Sequence, residues 1–594
     1  MPHPTGALAP CVMAEKLDVL MRRSTGESRK IVTLFLKAMH LHCHFWFMSR
    51  SDQAFLEGLM ATNRLIGVVA INGGGARLNF EADVRFSFSG KEDSQSGTIA
   101  WTSENRELLK SWMGSRQTQF IFDEAQPILR RLSKEGIRVE RPICLMTCRQ
   151  ILQEDDDHER SPVNDQRDAE KRAYQLIGEM RELTDRLKEA GLHRVAQLEN
   201  AVLSAFAAME SMGLYIDTNQ WRELVAIAKR DMTAAQEAVL RELASVVNQN
   251  LFGEPDINLD ADFEVKTALE RLMQTSLDDV SKHTLVDIDH PIIEPLLKYR
   301  EHRKIVSTYG EEFLLHVQTD TSRIHSSFIP IGASTGRVAS REPNLQNLPA
   351  GRKFHACICA PPGQKLITAD YATCELRILA GMSDDKGLIE AFSRGDDVHS
   401  VVAQTMFKEE VSKTQNAHLR NRAKAIQFGI IYGMGAASLG KSLEISEQEA
   451  RDILEHYFQT YPKVRTFLKD LVEKALKRGY SETLLGRKLY FSEEALASPN
   501  ARQELGRIAK NMPIQGTSAD MIKIAMTGIH RALCSHKGAY LVNTIHDELV
   551  VECSETDAEA VADVVRHEMS EAHRFLLPSV PPLVDLAVGD DWSH

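Results

Sequence analysis

Carboxylates interrupt an apolar stretch of this sequence where a β-strand would otherwise run without a break. In "VNTIHDELVVEC" Asp547 and Glu548 stand between Val542 and Cys553, although Asp and Glu are depleted from strands. A tight hairpin between two strands accommodates them better, because a turn can direct carboxylates into a cleft. Carboxylates in a cleft would bind a hard cation such as Mg²⁺. The alternative is a solvated hairpin tip.

A further carboxylate, Asp370, ends the apolar run "KLITAD" and precedes the helical pattern "YATCELRILAGM". A carboxylate between a strand end and a helix start is well placed to bind a cation. It suits a helix cap equally well. Both roles stay open at this point, because a long stretch of chain separates Asp370 from Asp547.

Basic and aromatic residues recur at every fourth position in "RNRAKAIQFGIIYGMG". On a helix, Arg420, Lys424, Phe428 and Tyr432 share one broad face, since each step of four residues rotates the position by only about 40°. This face suits a nucleotide, with cations on the phosphates and rings on the base and sugar. Gly429 inside the helix indicates a close approach by another group. The alternative is an amphipathic surface helix with solvated basic side chains.

Together, "DYATCELR", "RNRAKAIQFGIIYG" and "IHDELV" resemble the DNA polymerase I family (family A) in their order and spacing. Further matches are "STGRVASREPNLQNLP" (334–349), "GDDVHS" (395–400), "ETLLGRKLYF" (482–491) and "NMPIQGTSAD" (511–520). The resemblance covers residues 195–594. It implies a DNA-directed DNA polymerase, a nucleotidyltransferase of DNA replication that adds dNTPs to the primer 3′-hydroxyl of primer–template DNA.

In that family two carboxylates hold two Mg²⁺ ions, and Asp370 and Asp547 match their positions, with the Tyr371 carbonyl as a further ligand. Two such ions activate the primer hydroxyl and stabilise the leaving pyrophosphate, so catalysis is mostly positioning and charge neutralisation. The resemblance implies that Asp370, Asp547, Glu548 and Lys424 are catalytic.

The resemblance also assigns binding residues. Glu375 matches the residue that crowds the sugar 2′ position and favours deoxyribonucleotides. The other expected nucleotide-binding residues are His399, Arg420, Lys424, Phe428 and Tyr432. The expected DNA-binding residues are Arg337, Gln346, Asn347, Arg507, Asn511, Gln515 and His546.

The sequence departs from the family pattern between Tyr371, an expected metal ligand, and Glu375. We call Glu375 the sugar gate, because it is the residue expected to crowd the sugar 2′ position. Ala372, Thr373 and Cys374 replace the usual Ser-Gln-Ile. Because Thr is shorter than Gln, the hydrogen bonding that normally supports Glu375 is not expected from Thr373. The segment between "NLP" and "KLITADY" is also shorter than usual.

The N-terminal region resembles a degenerate 3′–5′ exonuclease domain. "QFIFDEAQPILRRLSKEGI" (119–137) is similar to the second exonuclease motif, with Asp123 in the carboxylate position and Gln119 in place of Asn. The strand that should carry Asp-x-Glu ends instead in "VVAINGGG". Such hydrolysis needs several carboxylates around two metals, so we expect no proofreading. The alternative is that Glu81, Asp83 or the acidic run 154–157 supplies the missing ligands.

The expected fold is α/β plus α+β and multidomain, a right hand of palm, fingers and thumb preceded by an RNase H-like exonuclease-type α/β domain. The expected boundaries are an N-terminal extension (1–30), the exonuclease-like domain (31–190), thumb (195–324), palm (325–385), fingers (386–507) and palm again (508–594). The polar stretch 153–172 is expected to be an exposed linker.

Bulk composition is that of a soluble protein, with 43% hydrophobic and 26% charged residues. A net charge of −12 weakens a nucleic-acid interpretation without excluding it, because steering depends on local basic residues. Nine cysteines at irregular spacing suit a reducing compartment. No apolar run is long enough to span a membrane. We expect a monomer in bacterial cytoplasm, or in the host cytoplasm if phage-encoded.

Two alternatives remain beside a DNA polymerase. A single-subunit RNA polymerase-like enzyme shares the palm and the metal carboxylates, but Glu375 and the "HDE" of 546–548 argue against it. A non-catalytic nucleic-acid-binding relative is disfavoured because both metal carboxylates and the cationic helix positions are filled.

Overall fold

The computed structural model describes residues 65–71, 85–90, 96–100, 109–110, 112–114, 118–154, 166–349 and 351–592. The expected extension at 1–30, Glu81, Asp83 and the acidic residues 155–157 lie outside these ranges. The chain divides into two compact units: the first is Met1–Ala125, Gly136–Met146 and Asp155–Thr184, and the second is Gln126–Glu135, Thr147–Glu154 and Asp185–His594.

The described strands, in chain order, are β1 (Leu65–Ile71), β2 (Arg85–Gly90), β3 (Ser96–Ala100), β4 (Gln119–Phe122), β5 (Pro142–Cys144), β6 (Leu214–Tyr215), β7 (Val317–Gln318), β8 (Arg323–Ile324), β9 (Ser327–Ile329), β10 (Ala339–Arg341), β11 (Gln364–Tyr371), β12 (Tyr480–Glu482), β13 (Lys488–Tyr490), β14 (Tyr540–Ile545), β15 (Glu548–Ser554) and β16 (Val584–Gly589).

The described α-helices are α1 (Gln126–Lys134), α2 (Leu145–Ile151), α3 (Gln166–Glu189), α4 (His193–Met212), α5 (Thr218–Leu243), α6 (Asp262–Met273), α7 (Lys282–Val286), α8 (Ile293–Tyr309), α9 (Glu311–Leu314), α10 (Arg352–Ala356), α11 (Cys374–Ser383), α12 (Lys386–Ser393), α13 (Val398–Phe407), α14 (Ala417–Ile431), α15 (Ala436–Leu443), α16 (Glu447–Thr460), α17 (Pro462–Arg478), α18 (Glu493–Ala497), α19 (Arg502–Ala532) and α20 (Ala558–Leu576).

Local chemistry sets many of these boundaries. The Asp217 carboxylate accepts hydrogen bonds from two backbone N–H groups at the start of α5, and Ser446 with Glu449 forms a capping box on α16. Both arrangements satisfy N–H groups that have no partner within the helix. The linker expected at 153–172 is wrong at its C-terminal end, because α3 begins at Gln166.

The first unit contains a five-stranded mixed sheet with strand order β3-β2-β1-β4-β5. Strand β1 pairs antiparallel with β2 and parallel with β4, and β4 pairs parallel with β5. Residues Phe120–Phe122 of β4 are fully buried. Such a mixed order is compatible with the RNase H-like domain expected here.

The second unit is built around the four-stranded antiparallel sheet β14-β15-β11-β16. Side chains alternate between its faces with period two. Ile367, Ala369 and Tyr371 pack on one face in a core shared with α11, α19 and α20. Leu366 packs on the other face in a core that includes Trp221. Asp370 is four residues after Leu366 on β11, so its side chain lies on the same face as that of Leu366, near the end of the strand.

Helices α5 and α8 pack together, and with α6 and α7 they enclose a separate apolar core that includes Val239, Leu269 and Leu296. Helices α12 to α17 join the core on the α19 side of the sheet. Across the described part of the chain, no helix combines the length and apolar character needed to cross a membrane.

Candidate active site

Four carboxylates gather at one end of the central sheet, and we call Asp370, Asp547, Glu548 and Asp585 the acidic corner. The register of the antiparallel ladders places Asp370 opposite Glu548 on β15 and opposite Asp585 on β16. Residues directly opposite in such a ladder have Cβ atoms about 4.5–5.5 Å apart. Asp547 immediately precedes Glu548, so the corner collects carboxylates from three chain segments.

The hairpin between β14 and β15 turns at His546 and Asp547, as the sequence predicts. His546 adopts a left-handed conformation with φ of +53°. The Tyr371 backbone N–H donates to the Asp547 carbonyl oxygen over 3.3 Å. Asp547 is half-buried, so the interpretation as a solvated tip is wrong for its side chain, while His546 is exposed.

Burial and mutual repulsion set the electrostatics of the acidic corner. The pKa of Asp370 is raised to about 7, first by burial and then by the charges of Asp547, Glu548 and Asp585. Burial also raises the pKa of Asp547 and that of Glu548. The corner therefore carries more negative charge than it can accommodate by itself, which favours a bound cation.

Neighbouring side chains hold parts of the corner in place. Glu548 Oε1 accepts a hydrogen bond of 2.7 Å from Trp592 Nε1. The Tyr371 hydroxyl is buried and donates to the Met569 carbonyl oxygen over 2.7 Å. These contacts hold the end of β11, which carries Asp370, and the start of β15, which follows Asp547.

The expected sugar gate, Glu375, is buried in the first turn of α11. Arg337 Nη2 donates to its Oε1 over 2.7 Å. Burial raises the pKa of Glu375, and the charge of Arg337 opposes that rise. Thr373 bonds instead to the Ala372 carbonyl oxygen. The support missing from Thr373 therefore comes from Arg337, which the sequence had marked only for DNA contact.

The cationic and aromatic helix forms as predicted over α14, with Tyr432 at its C-terminal cap. Lys424 is exposed, and its Nζ lies 6.0 Å from the centre of the Phe428 ring. The Phe428 and Tyr432 rings stack with centroids 6.1 Å apart. Arg420 is already paired with Asp397, by bonds of 2.6 and 3.0 Å.

His399, on α13, and Gly429, within α14, are both buried. His399 Nδ1 is bonded to Gln427 Oε1, and burial lowers the pKa of its imidazole. A Cβ at Gly429 would lie 3.2 Å from Leu439 Cδ1. The close approach that Gly429 indicates therefore comes from α15 of the same chain.

The expected DNA-binding residues lie on α19, in the loops at 337 and 346–347, and in the hairpin turn at 546. Arg507, Asn511 and Gln515 recur at every fourth position of α19 and so share one face; Arg507 is paired with Glu504. Gln346 Nε2 donates to the Thr544 carbonyl oxygen over 3.1 Å. Asn347 is exposed, and its carbonyl oxygen accepts from the Tyr309 hydroxyl.

Two residues of the site were not found from sequence. Asp585 lies in "PPLVDLAVG", where the only signal is a charge inside an apolar strand. Asp397 lies inside the quoted motif "GDDVHS", but nothing local shows that it binds Arg420. Both depend on pairing between distant segments.

In the first unit, Asp123 follows β4 directly and its carboxylate is paired with a cation. Arg172 Nη2 of α3 lies 3.0 Å from Asp123 Oδ2. Arg172 also pairs with Glu179. Gln119 begins β4. Glu154, one of the alternative candidates for the missing exonuclease metal ligands, is paired with Arg186 of the second unit.

No group of three or more His, Cys, Asp or Glu side chains within the described ranges is arranged to hold a metal ion by itself. The donor set that the resemblance implies at the acidic corner is two of its carboxylates, Asp370 and Asp547, with the Tyr371 carbonyl. This is a normal set for Mg²⁺, which uses one or two carboxylates together with substrate phosphates and water.

Comparison with known proteins gives a consistent result. The sequence model described as DNA polymerase family A matches residues 226–594. The thermostable DNA polymerase I of Thermus filiformis is 34% identical over 431 residues, which are 72% of this chain and 51% of that protein. The DNA polymerase I of Chloroflexus aurantiacus is 34% identical over 437 residues, 69% of this chain and 45% of that protein. The chain thus spans about half the length of these curated relatives.

Among solved structures, the chain is similar to the POL domain of Pol1 from M. smegmatis, determined in complex with DNA primer-template and dNTP. The TM-score is 0.79 at 27% sequence identity, and the match covers 92% of this chain and 99% of that chain. This likeness confirms the fold class that the sequence motifs imply.

Proposed function

The chain belongs to DNA polymerase family A, and from that premise we propose that it is a DNA-directed DNA polymerase that extends a primer 3′-hydroxyl with dNTPs. The observation that carries the proposal is the meeting of Asp370 and Asp547 at one corner of the central sheet, through the hydrogen bond from Tyr371 to the Asp547 carbonyl. Two segments far apart in sequence thereby present the carboxylates of one site.

Asp370, Asp547 and the Tyr371 carbonyl fit a pair of Mg²⁺ ions, since all three offer the hard oxygen atoms that Mg²⁺ prefers. Burial, and then repulsion from the neighbouring carboxylates, raises the pKa of Asp370 to about 7, and a bound cation would offset both effects. The chemistry that such ions supply is activation of the primer hydroxyl and neutralisation of charge on the leaving pyrophosphate.

The remaining residues bind and orient the nucleotide. Exposed Lys424 is free to reach a triphosphate, and the Phe428 and Tyr432 rings offer an apolar surface to the base and sugar. Glu375, held by Arg337, would stand against a 2′-hydroxyl. Arg420 would have to share its guanidinium between Asp397 and phosphate, so we assign Lys424 the main phosphate contact.

We propose further that the first unit has no proofreading activity. Asp123 is the one carboxylate that matches the exonuclease motifs, and it is paired with Arg172. A guanidinium beside that carboxylate neutralises the charge that a metal pair would need. An arginine so placed also repels divalent cations.

A primer-extension assay tests the main proposal. Purified protein is given primer–template DNA and Mg²⁺ with dNTPs, with rNTPs, or with no nucleotide. Template-directed extension by dNTPs alone is expected. Efficient extension by rNTPs would favour an RNA polymerase-like enzyme, and DNA binding without extension would favour a non-catalytic relative.

A further inference from the structure

Four charged side chains form a buried cluster outside the site described above. Glu199 of α4, Arg487 before β13, and Asp520 and Lys523 of α19 are all buried. Lys523 Nζ lies 2.5 Å from Glu199 Oε1, and Arg487 Nη2 lies 2.7 Å from Asp520 Oδ1. Arg487 also contacts Glu199. We call these residues the ion cluster.

Stability alone does not explain the ion cluster. Desolvating two cations and two carboxylates is costly, and replacing such networks with apolar residues is often neutral or stabilising. Buried ionic groups are better attested as devices that fix one arrangement of the surrounding chain. We therefore expect the ion cluster to hold one nearby part of the chain in a single arrangement.

The ion cluster holds the loop 332–337, which carries Arg337. Lys523 Nζ donates to the Gly336 carbonyl oxygen over 2.7 Å. Gly336 has φ of +84°, and a Cβ there would lie 2.5 Å from Arg487 Nε. The loop also lies on α19, since a Cβ at Gly516 would approach the Thr335 carbonyl oxygen to 3.0 Å.

The loop in turn holds the sugar gate. Gly332 N–H donates to the Arg337 carbonyl oxygen over 2.9 Å, closing the loop on itself. The Arg337 guanidinium then reaches Glu375 over 2.7 Å. A continuous chain of contacts therefore runs from Lys523, through Gly336 and Arg337, to Glu375.

We propose that the ion cluster is a positioning device for sugar selection, with Lys523 as its key residue through the bond to the Gly336 carbonyl. Held in this way, the loop keeps Arg337 on Glu375, and Glu375 stays against the 2′ position of the incoming nucleotide. The inference rests on the proposed polymerase function and deepens it, because the four buried residues would act on sugar selection through Glu375.

The test compares Lys523→Met with the wild-type protein in single-nucleotide primer extension with a dNTP and the matching rNTP. Met fills a similar volume but cannot donate to Gly336. The ratio of kcat/KM for dNTP to that for rNTP should fall roughly 3- to 30-fold, the range for residues that act through others. The change should arise mainly from better rNTP use.

Two controls separate positioning from general stability. Arg323→Met removes a partly buried ion pair, that of Arg323 with Glu552 at 2.6 Å, which does not contact the loop in the described part of the chain. It should lower the thermal midpoint and leave the selectivity ratio unchanged. Glu199→Gln combined with Lys523→Met removes one charge of each sign but leaves the bond to Gly336 missing, so selectivity should stay low.

Several outcomes would overturn the inference. They are wild-type selectivity in Lys523→Met, recovery of selectivity in the Glu199→Gln/Lys523→Met variant, or an equal loss in Arg323→Met. If Lys523→Met does not fold, Gly336→Ala displaces the same loop without removing a buried charge, and its selectivity decides in the same way. A wild-type protein that incorporates no dNTP would instead overturn the proposed function itself.

Discussion

At the scale of single residues, the candidate site depends on which charged side chains form ion pairs with each other. Glu375 is paired with Arg337 and Arg420 with Asp397, whereas no ion pair among the described residues joins the acidic corner to a basic side chain. We therefore expect the paired charges to orient side chains and the acidic corner to bind a cation.

Removing the gate carboxylate should relax sugar selection. Glu375→Ala opens space at the 2′ position, so the preference for dNTP over rNTP should fall by at least about tenfold. Steady-state primer extension with each nucleotide measures it. Glu447→Ala, which removes an exposed carboxylate of α16 paired with Arg451, is the control. Unaltered selectivity in Glu375→Ala would mean that the gate lies elsewhere.

Removing the exposed cation of α14 should weaken nucleotide use. Lys424→Ala loses a charge-assisted phosphate contact of about 1.5–3 kcal/mol, so kcat/KM for dNTP should fall by about 10- to 150-fold. Lys441→Ala removes an exposed lysine from α15 and should change little. If both variants behave alike, Lys424 is not the phosphate contact.

At the scale of elements, helix α20 supports the strand end that carries Asp370. Its Met569 carbonyl accepts from Tyr371, and its His573 ring lies 6.5 Å from the Tyr371 ring. Neither ring nitrogen of His573 has a hydrogen-bond partner among the described residues. Burial, then Arg377 and Arg574, lowers the pKa of His573 to about 4.

This depressed pKa predicts how stability depends on pH. Between pH 6.5 and 4 the unfolded chain binds a proton at His573 and the folded chain does not, so acid destabilises the fold. The contribution is at most about 1.4 kcal/mol per pH unit. The thermal midpoint of the wild type should therefore fall more between pH 7 and 5 than that of His573→Leu.

The control for this prediction is His567→Leu, which removes an exposed histidine from the same helix. Its thermal midpoint should follow the wild type across the pH range. A His573→Leu variant that loses as much stability on acidification as the wild type would show that His573 is not the group responsible.

At the scale of the whole molecule, the chain joins a family A polymerase region to an α/β unit whose one matching exonuclease carboxylate is paired. The proposal for the first unit is tested with a 3′-mismatched primer–template and Mg²⁺ without dNTPs. We expect no shortening of the primer by the wild type. Shortening that disappears in Asp123→Ala would show an active exonuclease and contradict the proposal.

Sequence predicted those parts of the fold and site that depend on local pattern. The hairpin at His546, the helix bearing Lys424, and the strand ending near Asp370 all follow from periodicity and turn chemistry, and the motifs identify the family. Long-range pairing was not predictable, because ladder register and side-chain partners depend on tertiary packing. Asp585 opposite Asp370 and Arg337 on Glu375 are of this kind.

We propose above all that Asp370 and Asp547 together form the metal-binding centre of a DNA polymerase. Single-turnover incorporation of one dNTP, measured with Mg²⁺ for the wild type, Asp370→Asn and Asp547→Asn, tests it most directly. Each variant should lose at least about 10³-fold in rate, while its affinity for primer–template DNA stays within about threefold of the wild type. Incorporation at the wild-type rate by either variant would contradict the account.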